Sequence, residues 1–171
     1  MHSKFEIVEI KDVNEWQSFA ETSLEYTMFV SSSYLSSYGG KYKTFFVKKG
    51  LQIKAGFCLL LSPDEKDIVL DELVIYTGIL FQYDAFQKAV KAWAERFEVT
   101  ELIIKYITMK YQNIEISLSP QVNDMRPFLW HNYGSENKSE KFELDLRYTS
   151  YIDISELKDN CDEEETTLFK G

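Results

Sequence analysis

Three strand-like runs follow one another with almost nothing between them, and this arrangement restricts the fold more than any other feature. Lys43 to Lys48 is the first, Gln52 to Leu61 the second and Asp67 to Tyr76 the third. Lys49-Gly50 and Pro63-Asp64 fill the gaps. Connections this short join antiparallel neighbours, because a parallel pair needs a crossover of a dozen residues or more. The spacing therefore predicts an antiparallel meander near the N-terminus.

Other elements flank it. Phe5 to Ile10 alternates as a first strand, and Asp12 caps a helix in which Val13, Trp16, Phe19 and Ala20 recur at helical spacing. Ser31 to Tyr38, stopped by Gly39-Gly40, predicts a short second helix. Asp84 caps a third, with Phe86, Ala89, Val90, Trp93 and Phe97 on one face. Thr100 starts a fourth, carrying Leu102, Ile103, Tyr106, Ile107 and Met109. Asn113 to Ser117 returns to strand, Val122 to His131 reads as helix, and Phe142, Leu144 and Leu146 alternate as a last strand that Tyr148 to Ile154 extends. The order β-α-α-β-β-β-α-α-β-α-β predicts an α/β (α+β) chain: one domain over 1–154, with a mixed sheet flanked by helices, then an acidic tail or connector over 155–171.

Composition sets limits on function. A chain of 171 residues with 44% apolar and 15% aromatic content can build one real core. No apolar run is long enough to span a membrane, and the start lacks the pattern of a signal peptide, which predicts a cytoplasmic protein. The net charge of −9 is uneven: Glu156, Asp159, Asp162, Glu163, Glu164 and Glu165 against Lys158 and Lys170 place −4 in the tail and leave −5 elsewhere. Such a surface argues against general nucleic-acid binding, which needs a phosphate-neutralising patch. Cys58 sits in an apolar strand and Cys161 in the tail, so their spacing suggests neither a disulfide framework nor a metal site.

Several stretches, taken in order, resemble the first half of the FemAB-like proteins. They are Phe29 to Leu35 with Tyr38-Gly39, Gly50 to Leu61, Tyr76 to Phe81, Ser119-Pro120, and the run Asp124-Met125-Arg126-Pro127-Phe128-Leu129-Trp130, followed by Phe142 to Leu146. FemAB-like proteins are bacterial acyl- and aminoacyltransferases built from two halves of the GNAT acyltransferase fold. The element order is similar to that fold, whose sheet is antiparallel at its start and splayed where the acyl donor enters. The resemblance implies the N-terminal GNAT-like half of an N-acyltransferase or aminoacyltransferase, acting on a small-molecule or peptidoglycan-precursor amine. It implies acetyl-coenzyme A or aminoacyl-tRNA as donor for the full-length family, and a cleft completed by a second GNAT-like half or a homodimer partner. The half alone is then inactive; the alternative is a truncated, non-catalytic GNAT-like binding module.

Individual residues carry both chemical and structural readings. GNAT domains cradle the pyrophosphate of coenzyme A in a glycine-rich turn after the fourth strand. The corresponding Tyr76 to Asp84 holds one glycine, no lysine or arginine, and the carboxylate of Asp84, which would repel phosphate. This half is therefore expected to bind no coenzyme A by itself. Arg126 can pair with a carboxylate or phosphate and Asp124 can orient an amine, or Asp124 can cap a helix whose Phe128 and Trp130 fill the core. Tyr38 and Tyr76 could line a polar pocket. With Asp84, Asp124 and Arg126 they make the substrate-binding candidates; no catalytic residue and no metal ligand stands out. His131 has no nucleophile–acid pattern around it. Lys41, Lys43, Lys48, Lys49 and Lys54 form a basic cluster that either meets phosphates or guards a strand edge.

Overall fold

The run Ala55 to Leu61 is apolar at successive positions rather than alternate ones, so both faces of its strand must be covered. The computed structural model, which describes residues 4–148 together with 150 and 152, shows how. Four strands, β1 (Glu6–Ile10), β2 (Lys41–Lys49), β3 (Gln52–Leu61) and β4 (Gly78–Phe81), pair in that order, each antiparallel to the next. Helices α1 (Val13–Ala20) and α2 (Ser32–Ser37) accompany one face. The long α3 (Ala89–Lys110) and the short α4 (Arg126–Trp130) accompany the other. The fold is α+β, with the antiparallel meander in place.

Two cores result. On the α3 side Phe45, Phe57, Leu59 and Ile79 meet Ile103, Ile104, Ile107 and Phe128. On the α1 side Phe46, Cys58, Leu60 and Leu80 meet Trp16, Phe19, Val30 and Leu35. At about 1.5–3 kcal/mol for each large side chain fully buried, these clusters are the main source of stability. Asp12 caps α1 by accepting from the N–H groups of Asn14 and Glu15, and the Trp16 indole donates to the carbonyl of Val30 at 2.8 Å. Gly56 is what lets α1 sit so close: a Cβ there would lie 2.6 Å from the Phe19 ring and 2.9 Å from Trp16.

Several expected elements take other forms. The named strands pair antiparallel throughout; among the described residues parallel pairing is confined to isolated bridges, Ile68 with Ile114 and Thr77 with Leu118. Asp67 to Tyr76 is not a continuous strand. The Asp71 carboxylate accepts from Leu73 N–H at 2.8 Å and Val74 N–H bonds the Asp71 carbonyl, so a local turn interrupts the ladder. The fourth strand is Gly78–Phe81 instead. Residues 113–118 touch the sheet through those bridges without forming a strand.

The two helices expected around Thr100 are one. The Thr100 hydroxyl donates to the Arg96 carbonyl one turn back at 2.8 Å, so it continues the helix rather than capping a new one. Asp84 caps nothing: it folds a turn with Phe86 and Gln87, and α3 begins at Ala89. Phe86, Val90 and Trp93, expected in the core, are 99%, 83% and 68% exposed, because burial on α3 begins only at Val99. The helix expected over Val122 to His131 shrinks to Arg126–Trp130. Phe142 to Leu146 is irregular, with Leu146 exposed and no strand paired with it among the described residues. At 148, 150 and 152 there is no strand either; the rest of Tyr148 to Ile154, the boundary at 154/155, Cys161 and His2 lie outside the described residues.

The close fit at Gly56 gives a direct test. Gly56→Ala should lower stability by about 1–3 kcal/mol through overpacking, while Leu51→Ser at the exposed hairpin tip should stay within about 0.5 kcal/mol of the parent. Urea unfolding measures both, and an unchanged midpoint for Gly56→Ala would refute the packing account.

Candidate functional site

A cleft of about 260 Å³ opens where β4 gives way to α3. Phe81 to Ala85 form one wall, Trp93 and Arg96 on α3 the other, and Lys54 of β3 reaches in from the side. Its position follows from the chain path. Beyond β4 the chain turns away through Gln82 to Lys88, and the first half of α3 projects past the sheet with no buried residue between Ala89 and Glu98.

The charges of this cleft are arranged in pairs. Lys54 Nζ lies 3.1 Å from Glu95, which also draws Lys49 at 3.9 Å. Arg96 donates to Glu25 at 3.2 Å and its guanidinium stacks 4.8 Å above the Phe81 ring. Glu25 is a charged side chain 2% exposed, and its contacts explain why it can be. Besides Arg96 it accepts from the Phe81 N–H at 3.1 Å and the Ser23 hydroxyl at 2.6 Å. A buried carboxylate with this many donors does not stand as an isolated polar group in the interior. Glu25 thereby ties the outer edge of β4 to α3 through Phe81 and Arg96, both of which line the cleft. Asp84 differs: it accepts from Phe86 N–H at 2.9 Å and has no cation within ion-pair distance among the described residues.

The five substrate-binding candidates fall in three places. Asp84 alone lines the cleft. Tyr38 and Tyr76 belong to the opposite face, beside the 71–76 turn. The Tyr38 hydroxyl donates to Asp71 at 3.1 Å, and burial followed by that carboxylate raises its pKa. Tyr76 meets the Phe29 ring edge-on at 6.1 Å, and the neighbouring Tyr34 donates to the Leu73 carbonyl. Asp124 and Arg126 close on each other, with nitrogen–oxygen distances of 2.8 and 2.6 Å. The hydrogen bond from Arg126 holds the Asp124 carboxyl below its ordinary value, and Asp124 raises Arg126 in turn.

That pair stands over an aromatic step on α3. The Arg126 guanidinium is 5.5 Å from the Phe97 ring and 5.7 Å from Trp130, and the two rings meet edge-on at 5.6 Å. Asp124 precedes the cap position rather than occupying it: Met125 is the N-cap, and Asp124 accepts the Arg126 N–H at 3.2 Å. Phe128 is buried as expected, but Trp130 is 56% exposed and covers Phe97 instead of filling the core. His131 ends α4 with its ring against Phe142.

The other sequence candidates resolve into structural roles. The five lysines do not form one basic surface. Lys41 and Lys43 share Glu65 at 3.1 and 2.5 Å, Lys48 faces Glu15, and Lys49 and Lys54 face Glu95. Cys58 is wholly enclosed, and burial pushes its thiol up to about 12. Tyr76 to Asp84 is not a loop after the fourth strand, because its middle is that strand. Gly78 serves another purpose there, with φ +85° and a Cβ position 2.4 Å from Leu118. Sequence reasoning missed Glu25, Arg96 and Glu95. Their signal, a lone acid in the Ser23 to Tyr26 loop and one acid–arginine pair on an amphipathic helix, is common in surfaces. Among the described residues no three histidine, cysteine, aspartate or glutamate side chains gather as for a metal, and no helix is long and apolar enough to cross a membrane. No family model, curated protein or solved structure matches the chain.

Glu25 and Asp124 should separate under mutation. Glu25→Ala strands Arg96 and the Phe81 N–H, and should cost about 2–4 kcal/mol, somewhat less than a fully buried pair because Arg96 is partly exposed. Asp124 is 41% exposed, so its pair is screened and Asp124→Asn should cost under about 0.5 kcal/mol. Its carboxyl is depressed in the folded state. That contribution is present above the unfolded value near about 3.9 and is lost as pH falls through the lower folded value. Denaturant titrations at neutral pH and between about pH 4 and 2 check both; equal costs for the two variants would contradict the assignment.

Proposed function

We propose that this chain is the GNAT-like, acceptor-side half of a FemAB-type N-acyltransferase or aminoacyltransferase, with the cleft between β4 and α3 receiving the amine of the acceptor. The observation that carries the reading is the path β4–α3–residues 113–118. After an antiparallel meander the chain crosses over through a helix and returns parallel, bridging Thr77 to Leu118 with Thr77 N–H donating to the Ser117 carbonyl at 2.8 Å. It then leaves the edge of β4, where the Phe81 N–H donates to Glu25. An antiparallel start followed by a splayed parallel return is the arrangement that the ordered run of FemAB-like motifs implies.

The chemistry of the cleft supports an amine over a polyphosphate. Lys54 and Arg96 are held by Glu95 and Glu25, whereas Asp84 has no ion-pair partner among the described residues and lines the same cleft as Trp93 and Tyr83. A carboxylate beside aromatic faces suits a cationic amine. An incoming pyrophosphate would have to break two ion pairs and face Asp84. The donor, acetyl-coenzyme A or an aminoacyl-tRNA, therefore belongs to a second GNAT-like half, and holding the amine for it supplies proximity. A non-catalytic GNAT-like binding module is the second reading. It is favoured by the closure of Asp124 on Arg126, which leaves the family-like run as a structural device.

Calorimetry tests the assignment. A lysine-containing peptidoglycan-precursor peptide should bind the chain with a Kd on the order of 0.1 mM, weaken about tenfold or more in Asp84→Asn, and acetyl-coenzyme A should give no heat. Micromolar binding of acetyl-coenzyme A would overturn the acceptor-side reading. Silence from both ligands would favour the non-catalytic module.

A further inference from the structure

The first half of α3 presents an uncovered surface of unusual composition. Phe86, Val90 and Trp93 are exposed, and Ala89, Val90 and Trp93 share one apolar face of the helix start by their spacing. Lys88 and Lys91 flank it, both exposed and without an ion pair among the described residues. The helix start itself is electrostatically incomplete. No side chain caps it, no acid lies in its first turn, and Lys88 stands at the cap position. The unsatisfied N–H groups and the macrodipole of a 22-residue helix favour negative charge there, and the local sequence supplies positive charge instead. What this face lacks is a partner both acidic and apolar.

The chain carries such a segment. Glu156, Asp159 and Asp162 to Glu165 are acidic, and Leu157, Leu168 and Phe169 are apolar. The approach is short. Phe142 is anchored edge-on to Phe128 at 5.4 Å, on the α4 that packs Trp130 against Phe97. From Phe97 back to the start of α3 is about 12 Å, and the chain from Phe142 to Glu156 can extend roughly 45 Å. We propose that residues 156–169 dock on the first half of α3. Their carboxylates would meet the helix start with Lys88 and Lys91, and their apolar residues would cover Val90 and Trp93. The inference rests on the α3 surface and the charge of the segment, and it holds whether or not the acyltransferase reading does.

Hydrogen exchange followed by mass spectrometry on the full chain tests it. A variant with Asp162→Asn, Glu163→Gln, Glu164→Gln and Glu165→Gln leaves α3 untouched. Amides of residues 89–98 should exchange at least about fivefold faster in that variant than in the parent. The same gain should appear in the parent at about 1 M salt, where screening extends only about 3 Å, while residues 99–107 stay unchanged. A full-chain variant with Leu168→Ser and Phe169→Ser should show part of the gain. Equal rates in parent and variants would overturn the proposal, as would protection that grows with protein concentration, since that would identify a second copy as the occupant. A change spreading equally to residues 99–107 would also overturn it.

Discussion

The burial of β2 and β3 on both faces governs the arrangement of everything else. Phe45, Phe46, Val47, Ala55, Phe57 and Cys58 are completely inaccessible, so neither side of the sheet centre can be left to water. One face is closed by α1, which approaches over Gly56, and the other by the second half of α3. The consequence is positional. The part of α3 that packs begins at Val99, and a 22-residue helix is about 33 Å long. β4 is only four residues, so the first half of α3 must overhang the sheet, and the cleft forms in the angle between them.

An overhanging helix needs something to fix its direction, and Glu25 does that. Burying a carboxylate is costly by several kcal/mol unless its acceptor sites are filled. Here Ser23, Phe81 and Arg96 fill them from a loop, a strand edge and a helix. An apolar residue could cover the same spot, but it would leave the Phe81 N–H without a partner and would accept any rotation of α3. The geometry of three donors leaves one arrangement satisfied. The ion pair therefore contributes more to the orientation of α3 than to total stability.

What could be read from the sequence followed the range of the interactions involved. The β2–β3 hairpin, α1 with its Asp12 cap and the short α2 depend on neighbours a few residues apart, and the expected positions agree with the structure. The reading failed where a local signal competed with a distant one. Asp71 has the pattern of a strand residue but folds a turn, and Thr100 has the pattern of a cap but bonds back along its own helix. Phe86, Val90 and Trp93 fit a helical stripe, and periodicity cannot say whether a sheet lies beneath it. Of the site candidates only Asp84 reaches the cleft. Glu25 was out of reach altogether, since its partner Arg96 is 71 residues away.

The same distinction decides how charge should be read in this chain. Five lysines between Lys41 and Lys54 look like a basic surface in sequence, yet the fold assigns each to an acid from elsewhere: Glu65, Glu15 or Glu95. A chain of net charge −9 has acids enough to do this, and a charge so paired neither attracts a polyanion strongly nor repels a cation. The functional weight then moves to charges that the fold leaves unmatched beside apolar surface. Asp84, in the cleft that Trp93 also lines, is one, and Lys88 with Lys91 at the uncapped start of α3 is another. They have opposite sign and sit on the same stretch of chain.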